Sequence, residues 1–343
     1  MAYTTIDDPS AYFQAATYTG TGSSGNAITN DGNSDLQPDL VWIKQRNGQG
    51  TDHQLVDSTR GNTKYLYSNS TGLEVTSSDR LTSFNSDGFT LGADASNVVN
   101  QSGGYLYVGW QWKANGGTTS SNTNGTITST VQANTDAGFN IVTFTGNGSN
   151  DATIGHGLGV TPAMIITKNR ADSVSWRVWH KDLTSTYVLF LNSNNSQTSP
   201  TAQGNGYIKT VGSSTYSVYQ GLTDTNGVNG SGDAMVSYCF AEKQGYSRFG
   251  KYTGNGNANG TFIYTGFKPA VVINKRIDAG GPWTIFDNAR CPSNVNNAKL
   301  FPHLSDAEVT TTGDPIDFLS NGYKFYSSSK SRCRIYYCAI LSV

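Results

Sequence analysis

PDLVWIKQR (residues 38–46) returns later in the chain as PAMIITKNR (162–170) and again as PAVVINKR (269–276). Each copy is a proline followed by an apolar run that ends in Arg, a pattern typical of a buried strand. A second shared string precedes each copy: YTGTG (18–22), FTGNG (144–148) and YTGNG (252–256). Self-similarity at a domain-sized period indicates repeated modules. We therefore predict a chain built from three related units.

The copies share further strings in the same order. LVDSTRG (55–61) resembles IFDNARC (285–291), whereas the second copy has WRVWHKDL (176–183) there. NSDGFTLG (85–92) is echoed by LSNGYKFY (319–326). Each copy closes on an aromatic strand: YVGWQWKA (107–114), VSYCFAEK (236–243) and RIYYCAIL (334–341). Shared strings in one order indicate divergence from a single ancestral unit.

The repeats divide the chain into five parts. These are an N-terminal docking arm (1–16), a first β-sandwich repeat (17–114), a linker (115–130), a second repeat (131–244) and a third repeat (245–343). The linker is rich in Gly, Ser, Thr and Asn, so we expect it to be flexible. In the arm, Asp8 can cap a short helix that begins at Pro9 and runs to about Ala15.

Composition favours strands over helices. Charged residues make up 14% of the chain, against about 25% in an average domain. Of the 24 acidic residues only three are Glu, and Asp, Asn, Gly and Ser favour turns. We predict an all-β fold of three tandem antiparallel β-sandwich modules, jelly-roll or lectin-like in shape, with a short N-terminal helix.

Charge and hydropathy exclude several classes of partner. The net charge is −1 and no Lys/Arg cluster occurs, so nucleic acid is not an expected partner. No apolar stretch is long enough to span a membrane. The N-terminus MAYTTIDDPS has neither the charged nor the apolar region of a secretory signal. We expect a protein that is made in a cytoplasm and stays there or leaves by lysis.

The usual signatures of catalysis and metal binding do not occur. The four histidines, His53, His156, His180 and His303, form no HxH or HExxH pair, and no phosphate loop or GxSxG elbow is present. His156 lies in IGHGLG and is expected to bond backbone in a turn. The loop DTNGVNGSGD (224–233) fails the calcium-loop pattern. We predict no catalytic residue, no metal and no cofactor.

The four cysteines, Cys239, Cys291, Cys333 and Cys338, show no zinc-type spacing. Cys239 and Cys338 occupy matching positions in two repeats and have apolar neighbours, which indicates buried free thiols.

Asp57 and Asp287 recur at matching positions, three residues before Arg60 and Arg290 respectively. We favour a local Asp–Arg turn pair, because a feature shared by tandem modules is usually architectural. A glycosidase would need two carboxylates flanking a sugar bond, and a pair assembled across modules stays open. The residues predicted to form the structural repeat motif are Trp42, Arg46, Asp57, Arg60, Arg170, Arg276, Asp287 and Arg290.

Aromatic residues offer a candidate contact surface. All six tryptophans lie in or beside strand runs and are expected in sandwich cores, with a sugar-stacking platform as the alternative. Tyr105, Tyr207, Tyr216 and Tyr219 lie near polar loops, and a surface of Tyr, Ser, Gly and Asn suits molecular contact. These four tyrosines are the predicted binding residues, and their pattern supports a contact surface without naming its ligand.

The motifs aromatic-TG-x-G, QPDLVWIKxR, DxxRG, DGFTLG and YVxWxWK together resemble a repeated module of structural proteins in tailed, mainly marine, bacteriophages. The resemblance covers essentially the whole chain and is best in the first copy. It implies a virion location and supplies no catalytic residues. The expected function is a non-enzymatic tail fibre or receptor-binding appendage that contributes to host attachment, bound to other virion proteins through the N-terminal arm. A capsid decoration or capsid-appendage protein and a polysaccharide depolymerase are the alternatives, and a homo-oligomer stays open.

Overall fold

The computed structural model describes residues 4–48, 50–199, 204, 206–221, 226–310, 314–326 and 334–340. Within these ranges the regular structure is β-strand apart from one 3-10 turn, Pro9–Ala11. Every pair of named strands in them is antiparallel. The all-β prediction is confirmed.

The strands of the first third are β1 (Phe13–Thr19), β2 (Asn26–Ile28), β3 (Leu40–Gln45), β4 (Gln54–Asp57), β5 (Lys64–Tyr65), β6 (Val75–Thr76), β7 (Leu81–Phe84), β8 (Phe89–Leu91) and β9 (Leu106–Trp112). Those of the middle are β10 (Ser120–Asn122), β11 (Ser129–Asn134), β12 (Phe139–Thr145), β13 (Thr153–Gly155), β14 (Met164–Asn169), β15 (Arg177–His180), β16 (Leu189–Phe190), β17 (Tyr207–Val211), β18 (Thr215–Tyr219) and β19 (Ala234–Phe240). Those of the last third are β20 (Ser247–Thr253), β21 (Phe262–Tyr264), β22 (Val271–Arg276), β23 (Trp283–Asp287), β24 (Ala298–Lys299), β25 (Val309–Thr310), β26 (Ile316–Leu319), β27 (Gly322–Phe325) and β28 (Arg334–Ile340).

Three large sheets share one strand order. The first is β1-β9-β3-β4, the third is β20-β28-β22-β23, and the second contains β12-β19-β14-β15 between additional strands on both sides. Strand register fixes which residues are equivalent, because Leu40, Met164 and Val271 pair with Asp57, His180 and Asp287. We call the spans that build these sheets the first segment (13–112), the second segment (120–240) and the third segment (247–340).

Each large sheet faces a smaller sheet on one side. The small sheets are β2-β8-β7, β13-β18-β17 and β21-β27-β26. Because side chains alternate along a strand, Val41 and Ile43 of β3 pack in the core under the first small sheet, while Leu40 and Trp42 point the opposite way. The wholly apolar strand of the repeat is thus buried on both faces.

The opposite faces of the three large sheets meet in one central core. Trp42, Trp110, Ile166, Tyr238 and Ile273 belong to this single buried cluster, although they come from all three segments. An apolar cavity of about 20 Å³ lies within it. Trp42, Trp110, Trp112, Trp176 and Trp283 are buried as predicted, but they lie in this central core between the segments and not in the cores under the small sheets.

Equivalent hydrogen bonds join the segments in a closed cycle. Trp176 Nε1 of the second segment donates to the carbonyl oxygen of Tyr67 in the first, at 2.9 Å. Trp283 Nε1 of the third donates to Phe190 in the second, also at 2.9 Å. His53, which occupies the equivalent position in the first segment, places Nε2 3.1 Å from the carbonyl oxygen of Phe301 in the third. Each segment therefore contacts the other two.

The predicted N-terminal helix is wrong beyond its first turn. Asp8 does cap it, since Asp8 Oδ1 accepts from the Ser10 N–H at 3.0 Å, but the chain then enters β1 at Phe13. Phe13 is fully buried and its ring lies 5.0 Å from that of Trp112, so tertiary burial overrides local propensity. The described part of the arm is integral to the fold, because Ile6 is buried in the central core.

The flexible linker predicted at 115–130 is instead built into the second sheet. β10 lies inside this range and β11 begins within it. Asp39 fixes its start, because the carboxylate accepts from the backbone N–H groups of Ala114 at 2.7 Å and Gly116 at 2.8 Å. Composition alone does not make a segment mobile when buried acceptors hold its backbone.

Candidate functional site

The recurrent Asp–Arg pairs are local turn pairs, as the sequence predicts. Asp57 Oδ1 accepts from the Arg60 backbone N–H at 2.8 Å, and Asp57 Oδ2 accepts from Arg60 Nε at 2.5 Å. Asp287 and Arg290 repeat both contacts at 2.8 and 2.6 Å. All four side chains have no exposed surface. The strand that precedes each pair holds the carboxylate against the central core.

An aromatic donor from a neighbouring segment completes each pair. The Tyr238 hydroxyl donates to Asp57 Oδ2 at 2.8 Å, and Trp110 Nε1 donates to Asp287 Oδ2 at 2.9 Å. Burial raises the pKa of Tyr238 well above its usual value, which keeps the hydroxyl protonated. Each carboxylate is therefore paired with an arginine and hydrogen-bonded, and its side chain has no exposed surface. These groups can fix the packing of the segments.

Glu74 and Glu308 extend the pairs across segment boundaries. Glu74 accepts from Arg60 Nη1 at 2.9 Å and from Arg170 Nε at 2.7 Å. Glu308 equivalently accepts from Arg290 Nη1 at 2.8 Å and from Arg46 Nε at 3.0 Å. Arg46 and Arg170, which the sequence predicts as part of the structural repeat motif, each form a two-point ion pair with a glutamate of a neighbouring segment.

Ion pairing controls the charge of both glutamates. Burial alone would raise the pKa of Glu74, but hydrogen bonds and charge from Arg170 and Arg60 lower it below its usual value. The pKa of Glu308 is lowered in the same way by Arg46 and Arg290. Burial would also lower the pKa of Arg60, yet Asp57 and its neighbours raise it. Both networks are charged at neutral pH.

Sequence reasoning missed these two glutamates, although a signal was present. Only three Glu occur in the chain, and two of them lie at equivalent places, seven residues after Tyr67 and Phe301. No contiguous string marks this equivalence, because the residues before Glu74 and Glu308 have diverged in sequence.

The boundary between the second and third segments lacks this network. At the positions of Asp57, Arg60 and Glu74, the second segment carries His180, Leu183 and Gln197. The backbone contact nevertheless persists, since the N–H of Gln197 donates to the carbonyl oxygen of Ile277 at 3.1 Å. This boundary is thus held without the Asp–Arg–Glu network, while the buried Lys275 Nζ donates across it to the Asn194 carbonyl oxygen at 3.3 Å.

Arg276 is not equivalent to Arg46 and Arg170, so that part of the prediction is wrong. PAVVINKR is one residue shorter than the other copies, and Ile277 takes the place of their arginine. Arg276 Nε instead donates to Asp278 at 2.8 Å in a pair whose side chains are 37% and 31% exposed. The match between the sequence strings aligns Arg276 with Arg46, whereas the strand register aligns Ile277 with it.

Three buried lysines are a further repeated feature that sequence reasoning missed. Lys44, Lys168 and Lys275 occupy equivalent positions, and Nζ of each donates to the carbonyl oxygen of the next residue at 3.0, 2.5 and 2.6 Å. Burial lowers the pKa of Lys44 and Lys168 to about 8. The signal was a lysine inside an apolar run in all three copies. Their amines donate hydrogen bonds to backbone carbonyl groups at the ends of these strands.

The four tyrosines do not form one contact surface. Tyr216 is fully buried, with its hydroxyl 2.8 Å from Ser237 Oγ, and Tyr207 is only 6% exposed. The binding prediction is wrong for these two residues, because alternation along the strands turns them into the cores. Tyr219 is partly exposed and its ring lies 5.3 Å from that of Tyr207. Tyr105 is partly exposed in the first segment, and binding by these two stays a prediction.

His156 and His53 form hydrogen bonds within the fold, and Cys239 is buried. His156 Nε2 lies 3.1 Å from the carbonyl oxygen of Gly212, which confirms the backbone-bonding interpretation. Trp42 Nε1 can only donate, so His53 Nδ1 accepts this bond at 2.8 Å and the proton sits on Nε2. Cys239 is a buried free thiol, as predicted.

Several predicted sites fall partly outside the described residues. These are Cys333, the side chain of Cys338 and the start of the loop 224–233. In the ranges that the structure describes, no group of three or more His, Cys, Asp and Glu could hold a metal ion, and no helix is long and apolar enough to cross a membrane.

Two open grooves are further candidate contact sites. The first has a volume of about 380 Å³ and runs between β1 and residues 288–292 of the third segment. The second, about 500 Å³, runs between β20 and residues 182–184 of the second segment. The two grooves lie at equivalent boundaries and beside equivalent strands, so they are two copies of one feature. Both are lined mainly by polar groups.

The chain belongs to the family described as Domain of unknown function (DUF7483), whose profile matches residues 8–335. A search of curated proteins and a search of solved structures found no match. This profile spans all three segments apart from the last five residues of β28.

Proposed function

We propose that this chain is a non-enzymatic structural protein that acts by presenting surfaces to partners. The burial of Asp57 and Asp287 carries the proposal. They are the recurrent carboxylates that could have served in glycoside hydrolysis, and each is enclosed by an arginine and an aromatic donor. General acid–base catalysis needs a carboxyl group within hydrogen-bond reach of the substrate. These side chains stabilise segment boundaries instead.

The architecture that we propose is three tandem antiparallel β-sandwich modules arranged about a pseudo-threefold axis within one chain. Shared strand order supports this arrangement. Two further contacts repeat at every boundary: the bond from His53, Trp176 or Trp283 to a neighbouring carbonyl, and the backbone bond from Glu74, Gln197 or Glu308. A short linker and a closed cycle of contacts would make the array rigid.

We further propose that the protein is a virion component of a tailed phage, displayed as a tail fibre or receptor-binding appendage. The repeated motifs that resemble phage structural modules support this location. Low charge and many polar turns suit a particle surface, and the partly exposed Tyr105 and Tyr219 offer contacts to a host glycan or protein.

Capsid decoration is the second candidate. The repetition of boundary contacts favours it, because a threefold pattern on one chain suits a threefold site of a lattice. Other virion proteins would then be the partners. Both versions share the non-enzymatic role and differ only in the position of the chain on the particle.

Localisation in intact particles tests the proposal. Gold-labelled antibody raised against the purified chain should mark the tail tip if the protein is an appendage, and the whole head if it is a decoration. The purified chain should also reduce phage adsorption when it is added to cells first, and Tyr105→Ala with Tyr219→Ala should relieve that inhibition. Absence of label on particles, or release of reducing ends from host polysaccharide by the chain, would overturn the proposal.

A further inference from the structure

In the described residues, the second large sheet carries strands beside β12 that have no counterpart beside β1 and β20. β11 lies along the outer edge of β12, with Gln132 opposite Ile141 and Thr130 opposite Thr143. Strand order and register make β12 equivalent to β1 and β20, because Phe139, Phe13 and Ser247 start the corresponding pairings. The chain therefore contains one example of this edge with a strand bound to it.

Gln132 shows how that bound strand is recognised. It is fully buried, and Nε2 donates to Ser58 Oγ at 2.9 Å and to Thr59 Oγ1 at 2.8 Å. Ser58 and Thr59 belong to the Asp–Arg turn of the first segment. β11 therefore lies between the edge strand β12 of the second segment and the Asp–Arg turn of the first segment.

The edge of β1 is open in the described residues. β1 pairs there with β9 alone. The Tyr12 carbonyl accepts from Lys113 and the Gly20 N–H donates to Tyr105, both toward β9. Since backbone groups alternate in direction along a strand, Ala15 and Thr17 direct their N–H and C=O groups away from β9. Nothing described pairs with them.

The groove beside β1 is the place that β11 fills in the second segment. Its wall includes Ala15, Ala16 and Thr17 on one side and Asn288 and Ala289 on the other. By register, Asn288 and Ala289 are the equivalents of Ser58 and Thr59, which hold Gln132. The same strand edge and the same turn thus face each other with a volume of about 380 Å³ between them.

We propose that the groove beside β1 is a docking site for an extended segment of a partner protein, which adds to the first sheet as an antiparallel strand. Strand addition supplies affinity through main-chain hydrogen bonds and specificity through pockets for alternate side chains. It also provides hydrogen-bond partners for the outward N–H and C=O groups of β1, which could otherwise pair unspecifically with other chains.

The internal example defines the chemistry of the partner segment. β11 is STVQAN, an uncharged strand of small, polar and β-branched residues, and the amide of its Gln132 contacts the turn. A partner segment of this type would place an amide opposite Ala15, within reach of Asn288. Asp31 is the one charged group of the wall, so an acidic segment would be disfavoured.

A peptide of residues 127–134, ITSTVQAN, is the probe. Added to the full chain, it should bind, and hydrogen exchange should show new protection at the amides of Ala15 and Thr17. Thr17→Pro removes one outward N–H at an edge position where proline is tolerated, and should weaken binding at β1 by about tenfold or more. Thr17→Ala is the matched control because it keeps that N–H, and it should bind within about twofold of the wild type.

A second variant keeps the test independent of β1 itself. Ala289→Phe fills the groove from the opposite wall and should also abolish protection of Thr17. Protection of the Ala15 amide that persists in both Thr17→Pro and Ala289→Phe, or no protection of the wild type at millimolar peptide, overturns the proposal. Self-association of the chain that Thr17→Pro abolishes would make a second copy the occupant and would overturn the assignment to a partner protein. None of these results depends on whether the chain is found on a virion.

Discussion

Glu74 and Arg170 form a two-point ion pair across the boundary between the first and second segments, with Oε2–Nε at 2.7 Å and Oε1–Nη2 at 2.8 Å. The same carboxylate accepts from Arg60 Nη1 at 2.9 Å. One glutamate thus joins two guanidinium groups, and the Arg60 side chain is wholly buried. Removing one partner from such a network leaves uncompensated charge inside the protein.

Glu74→Gln should therefore destabilise the chain more than an ordinary surface change. We expect a loss of about 3 kcal/mol in the free energy of unfolding, because Arg60 and Arg170 lose their shared counter-charge. Urea unfolding followed by tryptophan fluorescence measures it. Glu242→Gln is the matched control: its ion pair with Arg248 is 3.5 Å long and half exposed on the arginine side, so the cost should stay within about 0.5 kcal/mol. Equal effects of the two variants would contradict the structural role of Glu74.

Tyr238→Phe tests the aromatic donor of the first network. The variant removes the hydroxyl that donates to Asp57 Oδ2 at 2.8 Å and leaves a buried carboxylate with one bond fewer. A loss of about 1–3 kcal/mol is expected on unfolding. Tyr264→Phe is the control, since Tyr264 is 61% exposed and its hydroxyl lies in solvent. A change no larger than that of the control would show that the hydroxyl contributes nothing to the boundary.

Acid should weaken the two charged boundaries. The pKa values of Glu74 and Glu308 are lowered in the folded state, so their contribution is complete above the usual carboxyl pKa of about 4.3 and is lost as pH falls through the folded values. The unfolding free energies of the wild type and of the Glu74→Gln/Glu308→Gln double variant should differ by a constant amount from about pH 7 to about pH 5.5 and should converge below about pH 4.3.

Comparing the two proteins removes the effect of histidines, which titrate in both. The pKa of His303, for example, is lowered to about 4 by burial, so its contribution fades from about pH 6.5 downward in either protein. If the difference in unfolding free energy stayed constant down to about pH 3, the arginines would not be lowering the pKa of either glutamate.

Much of the architecture could be predicted from the sequence because it depends on local patterns. The apolar run after Pro38, Pro162 and Pro269 is a buried strand each time, and the Asp–Arg strings form the expected turn pairs. What failed depends on tertiary contact. Phe13 joins a strand because Trp112 is there to cover it, and 129–134 becomes a strand because β12 offers an edge.

The candidate sites were harder to predict for the same reason. Alternation along a strand does not show which of its faces is buried, so the sequence predicts Tyr216 at the surface although it is fully buried. The partner of Arg170 lies 96 residues away at Glu74, and no spacing rule reaches that far. The open groove is defined by the absence of a strand beside β1 in the described residues, and it became visible only through register.

The DG turn of the first segment gives a last test of how tightly the sandwich is packed. Gly88 has a φ of +83°, and a Cβ placed on it would lie 1.9 Å from the Ile28 carbonyl oxygen of the paired strand. Gly88→Ala therefore combines backbone strain with a clash that only movement of β2 can relieve, and should cost about 3 kcal/mol or more. Gly104→Ala is a matched control, since its φ is +84° and nothing lies within 4 Å of the new Cβ. That variant should lose only about 1 kcal/mol from the left-handed conformation. Thermal unfolding of both variants separates the two contributions, and equal losses would show that β2 can shift away from the turn at no cost.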